Sequence, residues 1–160
     1  MKRSSWMICA VALLFVGFAG LELLAQAADP LVGTWELNLA KSKFMSATPV
    51  RSSTRTFVQD GDVIKYTNRG INADGKPYLV QFTGRYDGKD YPITGSLESD
   101  TIVLKRIDRF TTETVQKKAG KEVVHNRRVV SADGKSYTQT SRSTNAKGET
   151  VTNIMVFDKK

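Results

Sequence analysis

Gly33-Thr34-Trp35-Glu36-Leu37-Asn38-Leu39 alternates without a break: Trp35, Leu37 and Leu39 fall on one face, while Thr34, Glu36 and Asn38 fall on the other. A period of two is the signature of a strand with one dry side. The stretch Tyr78 to Tyr86 repeats it, with Tyr78, Val80, Phe82, Gly84 and Tyr86 opposed by Leu79, Gln81, Thr83 and Arg85. Nowhere after Gly33 does a helical period persist for three turns, so the chain from this point reads as nearly all β.

Glycine-containing turns divide the remainder. They are Asp60-Gly61-Asp62, Asn72 to Lys76, Asp87-Gly88-Lys89, Ala119-Gly120-Lys121, Ser131 to Lys135 and Asn145 to Glu149. The spacing predicts strands near Gly33–Leu39, Ser53–Gln59, Val63–Gly70, Lys76–Tyr86, Ile102–Ile107, Phe110–Lys118, Glu122–Val130, Tyr137–Thr144 and Val151–Phe157. Such short connections make an antiparallel meander. Closing it into an up-and-down barrel of eight or nine strands removes the two exposed edges that an open sheet would keep, which favours a barrel over a sandwich. Two connections are longer. Asp87 to Asp100 leaves room for a short extra strand around Tyr91 to Thr94, and Ala40 to Ser52, with Pro49, is a loop that would cover one mouth. The recurring x-Ala-Asp-Gly-Lys turn is shared turn chemistry rather than a sequence repeat, because the spacing is irregular.

Two strands lack an apolar face. In Phe110 to Lys118 and in Tyr137 to Thr144, hydroxyls and amides occur on both sides. Either these strands line a wet, partly polar interior, where each group must be hydrogen-bonded, or they form a solvent-facing sector with no cavity.

The N-terminus carries Lys2 and Arg3, an apolar run from Trp6 to Leu24 broken only by Glu22, and the small-x-small exit Ala25-Gln26-Ala27. This is the pattern of a secretory signal cleaved after Ala27. An uncleaved anchor is the competing reading, since roughly 18 apolar residues can span a bilayer. Cys9, the one cysteine, lies inside the apolar run and not at a lipoprotein junction. Processing would leave 133 residues, 160 less 27, as a single domain from 28 to 160. Losing Lys2, Arg3 and Glu22 lowers the net charge from +8 to +7, and no cysteine remains for a disulfide. The expected product is a periplasmic or secreted monomer with no membrane span, weakly attracted to anionic envelope surfaces and without a specific nucleic-acid partner.

The Gly33-Thr34-Trp35 motif on the first strand of such a meander resembles the calycins, the superfamily of lipocalins and fatty-acid-binding proteins. The whole mature chain is similar to small exported bacterial proteins described as lipocalin-like. The resemblance implies a lipocalin-like barrel closed at one end by Trp35, which would pack against a basic side chain from a late strand, with Arg106, Arg127 and Arg128 as candidates. The chain departs from the pattern in lacking a Thr-Asp-Tyr turn and in having too short an interval, Ala40 to Ser52, for a helical lid.

Arg106 shares a face with Ile102 and Leu104, and Arg128 shares one with Val124, Asn126 and Val130. With those faces inward, both guanidiniums reach a cavity and could hold a carboxylate by paired, charge-assisted hydrogen bonds. With the opposite faces inward they are solvated, the commoner fate of arginine. The expected activity is binding of a small amphipathic or hydrophobic molecule in the barrel. Trp35, Tyr66, Phe82 and Tyr86 would form the apolar lining, with Arg106, Arg128 and Tyr137 as polar contacts. The alternative is a filled barrel whose basic exterior meets an anionic polymer or a protein. Inhibition of a secreted lysozyme is disfavoured because such enzymes are basic too. A lipid isomerase or cyclase on the same scaffold is a weaker reading still, because His125 is the only histidine and no thiol nucleophile remains after cleavage. Neither a cofactor nor a metal is expected, since Asp87, Asp90, Glu98, Asp100 and Asp108 follow no ligand spacing and read as turn and rim residues.

Overall fold

The computed structural model describes residues 29–45, 50–145 and 147–160. The N-terminal apolar run and its cleavage junction lie outside the described residues, as does Pro49. Ten strands run in chain order: β1 Gly33–Lys43, β2 Ser52–Asp60, β3 Val63–Ile71, β4 Pro77–Arg85, β5 Asp90–Thr94, β6 Thr101–Arg106, β7 Thr111–Lys118, β8 Lys121–Val130, β9 Ser136–Thr144 and β10 Thr150–Lys159. Each pairs antiparallel with its chain neighbour, and β10 returns to β1 to close the barrel. Closure leaves no free edge, as the lengths of the connections had implied.

The strand count differs from the expected eight or nine. The extra strand is β5, whose ladder has only two register pairs with β4 and three with β6. Five residues containing Pro92 and Asp90 carry no hydrophobic period, and so little pairing tolerates a proline. β1 also continues past Leu39 to Lys43, because a register shift after Asn38 lets Lys43 re-pair with Ile154 of β10.

The three long turns share one geometry. Gly75, Gly134 and Gly148 have φ of +83°, +68° and +82°. Each donates its N–H to the carbonyl three residues earlier, on Asn72, Ser131 and Asn145. The shared closure explains the similar turn sequences, with glycine at the left-handed position of each.

Trp35 and Leu31 seal the end of the barrel where β1 begins. Leu31 is buried beneath the chain's first described residues, and Trp35 Nε1 donates to the Leu31 carbonyl at 2.8 Å. Tyr137 meets the indole edge-on at 5.0 Å and stacks on Phe157 at 4.7 Å. The cation over Trp35 is Lys159, its ammonium 5.0 Å from the ring, and not Arg106, Arg127 or Arg128. The reason is closure itself, since Trp35 and Lys159 are opposed across the β1–β10 seam. Gly33 is required beside them: its φ is +134°, and a Cβ there would stand 2.9 Å from Lys159 Cε.

The faces read from the sequence hold for Trp35 and Leu37, but Leu39, read onto the same dry face, is exposed, because β1 changes register after Asn38. Phe82 and Gly84 of β4 are buried and Leu79 is exposed. On β10, Phe157 and Met155 pack into the core and Ile154 faces out. The two strands without an apolar face, β7 and β9, contribute Thr112, Thr114, Tyr137 and Gln139 to the buried interior.

Candidate functional site

The interior polar groups form one connected cluster around Gln139 on β9. Arg55 on β2 donates from Nη1 to Gln139 Oε1 at 2.7 Å and to the Tyr137 hydroxyl at 3.2 Å. Arg128 on β8 donates from Nε to the same Gln139 oxygen at 2.8 Å. Gln139 in turn donates to Asn126 Oδ1 at 2.9 Å, and Asn126 donates to Thr114 Oγ1 at 3.3 Å. Arg55 also lies flat over Phe157, 4.1 Å from the ring centre. Both guanidiniums are buried, at 7% and 4% exposure.

Two cations therefore converge on one amide oxygen. Among the described residues no carboxylate lies within 4 Å of either. Burial of a charge without a counter-charge is among the costliest arrangements in a protein. Arg55 Nε and Thr112 Oγ1 are in addition buried with no hydrogen-bond partner. The electrostatics follow: burial, with the nearby Arg55 cation adding to it, lowers the pKa of Arg128. Burial pushes the Tyr137 hydroxyl up to about 12, with Arg55 opposing. Both arginines stay protonated at neutral pH. Two guanidiniums without a carboxylate partner are chemically complementary to an anion.

A second grouping lies at the Trp35 end. A cavity of about 480 Å³ opens there, lined by Asp29, Pro30, Gln59, Ile64, Tyr86 and Arg106 with Asp62, Arg85, Asp87 and Arg109 at its rim. The Asp29 carboxylate is buried against Arg106 and accepts a hydrogen bond from the Tyr86 hydroxyl at 3.1 Å. Arg106 stacks over the Tyr86 ring at 4.3 Å. Burial first, and then the Asp29 carboxylate, raises the Tyr86 pKa well above the ordinary phenol range.

The expected site residues thus divide between two places. Tyr86 and Arg106 line the end cavity. Arg128 and Tyr137 belong to the interior cluster. Tyr66 and Phe82 stack on each other at 4.7 Å, and Phe57 extends that aromatic wall to Tyr66 at 4.9 Å and to Tyr137 at 6.4 Å. Trp35 sits in the end plug, fully buried. Sequence reasoning missed Arg55, Gln139 and Asp29. Arg55 alternates with Ser53 and Phe57 against Thr54, Thr56 and Val58, a pattern with no dominant apolar face. His125 lies on the outer surface, 3.7 Å from Glu113, which also pairs with Arg127 at 2.6 Å. Asp87, Asp100 and Asp108 serve turns and rims, accepting from the backbone N–H groups of Lys89, Ala119 and Phe110. No group of three metal-ligating side chains occurs among the described residues.

No family model matches the chain, and no curated protein matches it in sequence. Among solved structures it is similar to the zebrafish ileal bile-acid-binding protein complexed with cholic acid. The TM-score is 0.57 at 14% identity, over 82% of this chain and 99% of that one. The two share the fold, a closed antiparallel β-barrel. The lining described above is this chain's own, since identity at that level carries the fold and not the side chains.

Proposed function

We propose that this protein binds a small anionic amphipathic molecule inside its barrel, with the acid group on Arg55 and Arg128 and the apolar part along the wall formed by Phe57, Tyr66 and Phe82. The observation that carries the reading is the pair of buried guanidiniums without a carboxylate. A purely structural core would fill the same volume with apolar side chains at equal or lower cost. A ligand anion would supply the missing counter-charge and accept from the free donors, each such bond being worth about 1.5–3 kcal/mol. The similarity to a barrel crystallised with cholic acid is consistent with a ligand of this kind. The same proposal takes the apolar N-terminal run as an export signal, which would put the binding protein outside the cytoplasm.

Calorimetric titration with laurate, dodecanol and dodecyltrimethylammonium tests it. Laurate binding at least tenfold tighter than that of the two non-anionic comparators is expected, whereas equal affinities for all three would refute an anion subsite. N-terminal sequencing of protein recovered from the cell envelope should begin at Ala28; a start at Met1 would refute processing.

A further inference from the structure

The interior cluster carries more positive charge than a single carboxylate can balance. Arg55 and Arg128 bring two cations to one neutral acceptor, Gln139 Oε1, which takes a hydrogen bond from each at 2.7 and 2.8 Å. At the Trp35 end the chain itself sets a different proportion, one guanidinium, Arg106, against one carboxylate, Asp29. A monocarboxylate bound between Arg55 and Arg128 would leave one positive charge buried and uncompensated, a costly arrangement. A dianion leaves none.

The donors are in excess as well. Each guanidinium carries five N–H groups. Arg55 commits Nη1 to Gln139 and Tyr137, whereas Arg128 commits Nε to Gln139 and makes only a long contact from Nη1 to Thr114, at 3.5 Å. Arg55 Nε is buried without a partner, in a residue 7% exposed, and so is the hydroxyl of Thr112, in a residue 2% exposed. Thr112 is opposed to Arg128 across the β7–β8 ladder, and Arg128 to Gln139 across the β8–β9 ladder. Opposed residues project to the same face with Cβ atoms about 5 Å apart, so the unpartnered hydroxyl stands beside the two guanidiniums. A carboxylate offers two oxygens in one plane. A phosphate monoester offers three, set tetrahedrally about phosphorus, and matches guanidinium forks as well as a carboxylate does.

We propose that the interior site is built for a phosphate monoester with an apolar tail, its dianionic head held between Arg55 and Arg128 with Thr112 beside it. The inference rests on the reading of the interior as an anion site and adds the valence of the anion. The Gln139 amide oxygen, which bridges the two cations, marks the position of one phosphate oxygen. Arg55 Nε and the Thr112 hydroxyl then donate to the others, and the tail lies along Phe57, Tyr66 and Phe82. A phosphate monoester carries a charge near −2 once the pH is well above its second pKa of about 6, so its head cancels both guanidiniums.

Calorimetric titration at pH 8 with dodecyl phosphate, its monomethyl ester and laurate separates charge from shape, because the methyl ester keeps the phosphorus and the chain but carries one charge. Dodecyl phosphate is expected to bind at least tenfold tighter than either monoanion. In Arg55→Gln, which halves the buried charge, its margin over the methyl ester should fall below threefold, and Arg128→Gln should do the same. Thr112→Val should weaken dodecyl phosphate about threefold to tenfold while leaving laurate within twofold of the parent. Inorganic phosphate, the same head without a tail, should bind at least a hundredfold more weakly than dodecyl phosphate, having no chain to bury; equal affinity would overturn the lipid part and assign the site to free phosphate. Equal affinities for dodecyl phosphate and its methyl ester, or for dodecyl phosphate and laurate, overturn the dianion while leaving an anion site in place. Affinities for all three no tighter than that of dodecanol remove the anion site and the inference together.

Discussion

Replacing Arg128 by methionine should make the protein more stable and less able to bind. Arg128 shares its main acceptor with Arg55, and its contact with Thr114 is long at 3.5 Å. Two unit charges roughly 5 Å apart at an effective dielectric near 20 repel by about 3 kcal/mol. Removing one of them also ends the desolvation penalty of that ion, which is several kcal/mol. Against this stands the loss of one good charge-assisted hydrogen bond, about 1.5–3 kcal/mol. Methionine fills much of the same volume and adapts to irregular space. Replacements of buried ions by apolar side chains of similar volume gain about 1–4 kcal/mol net, which at roughly 4 °C per kcal/mol for a domain of this size raises Tm by about 4–16 °C in a calorimetric scan. The same substitution should weaken laurate binding about 10- to 100-fold, the equivalent of one or two charge-assisted hydrogen bonds. A Tm that falls by several degrees together with unchanged laurate affinity would refute the reasoning, because Arg128 would then be a structural residue.

Two further outcomes follow from the packing and from the buried phenol. Gly84→Ala would place a Cβ 2.8 Å from the Tyr91 ring and 3.1 Å from Leu104 Cδ1, so a loss of about 1–3 kcal/mol is expected by chemical denaturation, partly recovered in Gly84→Ala/Tyr91→Ala. Tyr137, with its pKa pushed up to about 12 from an ordinary 10.0, holds its proton more tightly folded than unfolded. Its contribution is whole below pH 10 and is lost as pH rises from 10 to 12, on the order of 2–3 kcal/mol. Alkaline denaturation should therefore begin later in Tyr137→Phe, and parallel curves for the two proteins would count against the shift.

The closed barrel was legible because turn chemistry and strand period are local. Trp35, Leu37, Phe82 and Gly84 fall on the faces that simple alternation assigns, and Gly75, Gly134 and Gly148 close the turns that their neighbours announce. β5 was only partly legible, since Asp90–Thr94 holds its place through tertiary pairing and not through a pattern of its own. Arg128 and Tyr137 were legible as candidates because they share faces with apolar or amide residues. Arg55 was not, because nothing in Ser53-Thr54-Arg55-Thr56-Phe57 distinguishes a buried guanidinium from a solvated one; only closure, which brings β2 across the interior to β9, decides it. Asp29 shows the same limit more sharply. Its partner Arg106 is 77 positions away, and no spacing rule connects an N-terminal strap to the sixth strand.

The choice between a ligand cavity and a filled, surface-acting barrel turns on where the polar groups break the rules of a good core. The amides and hydroxyls of Gln139, Asn126 and Thr114 alone would fit either alternative, since they satisfy one another. Arginines do not fit the filled barrel. Each interior guanidinium carries a desolvation cost, the two repel each other, and bonds to a shared amide oxygen and to neutral hydroxyls supply no counter-charge. Where the outer arginine, Arg106, meets the same problem, the chain supplies Asp29. On the proposed reading, Asp29 neutralises Arg106 while Arg55 and Arg128 are left without a carboxylate among the described residues, so the stability forgone in the interior would be recovered on binding an anion.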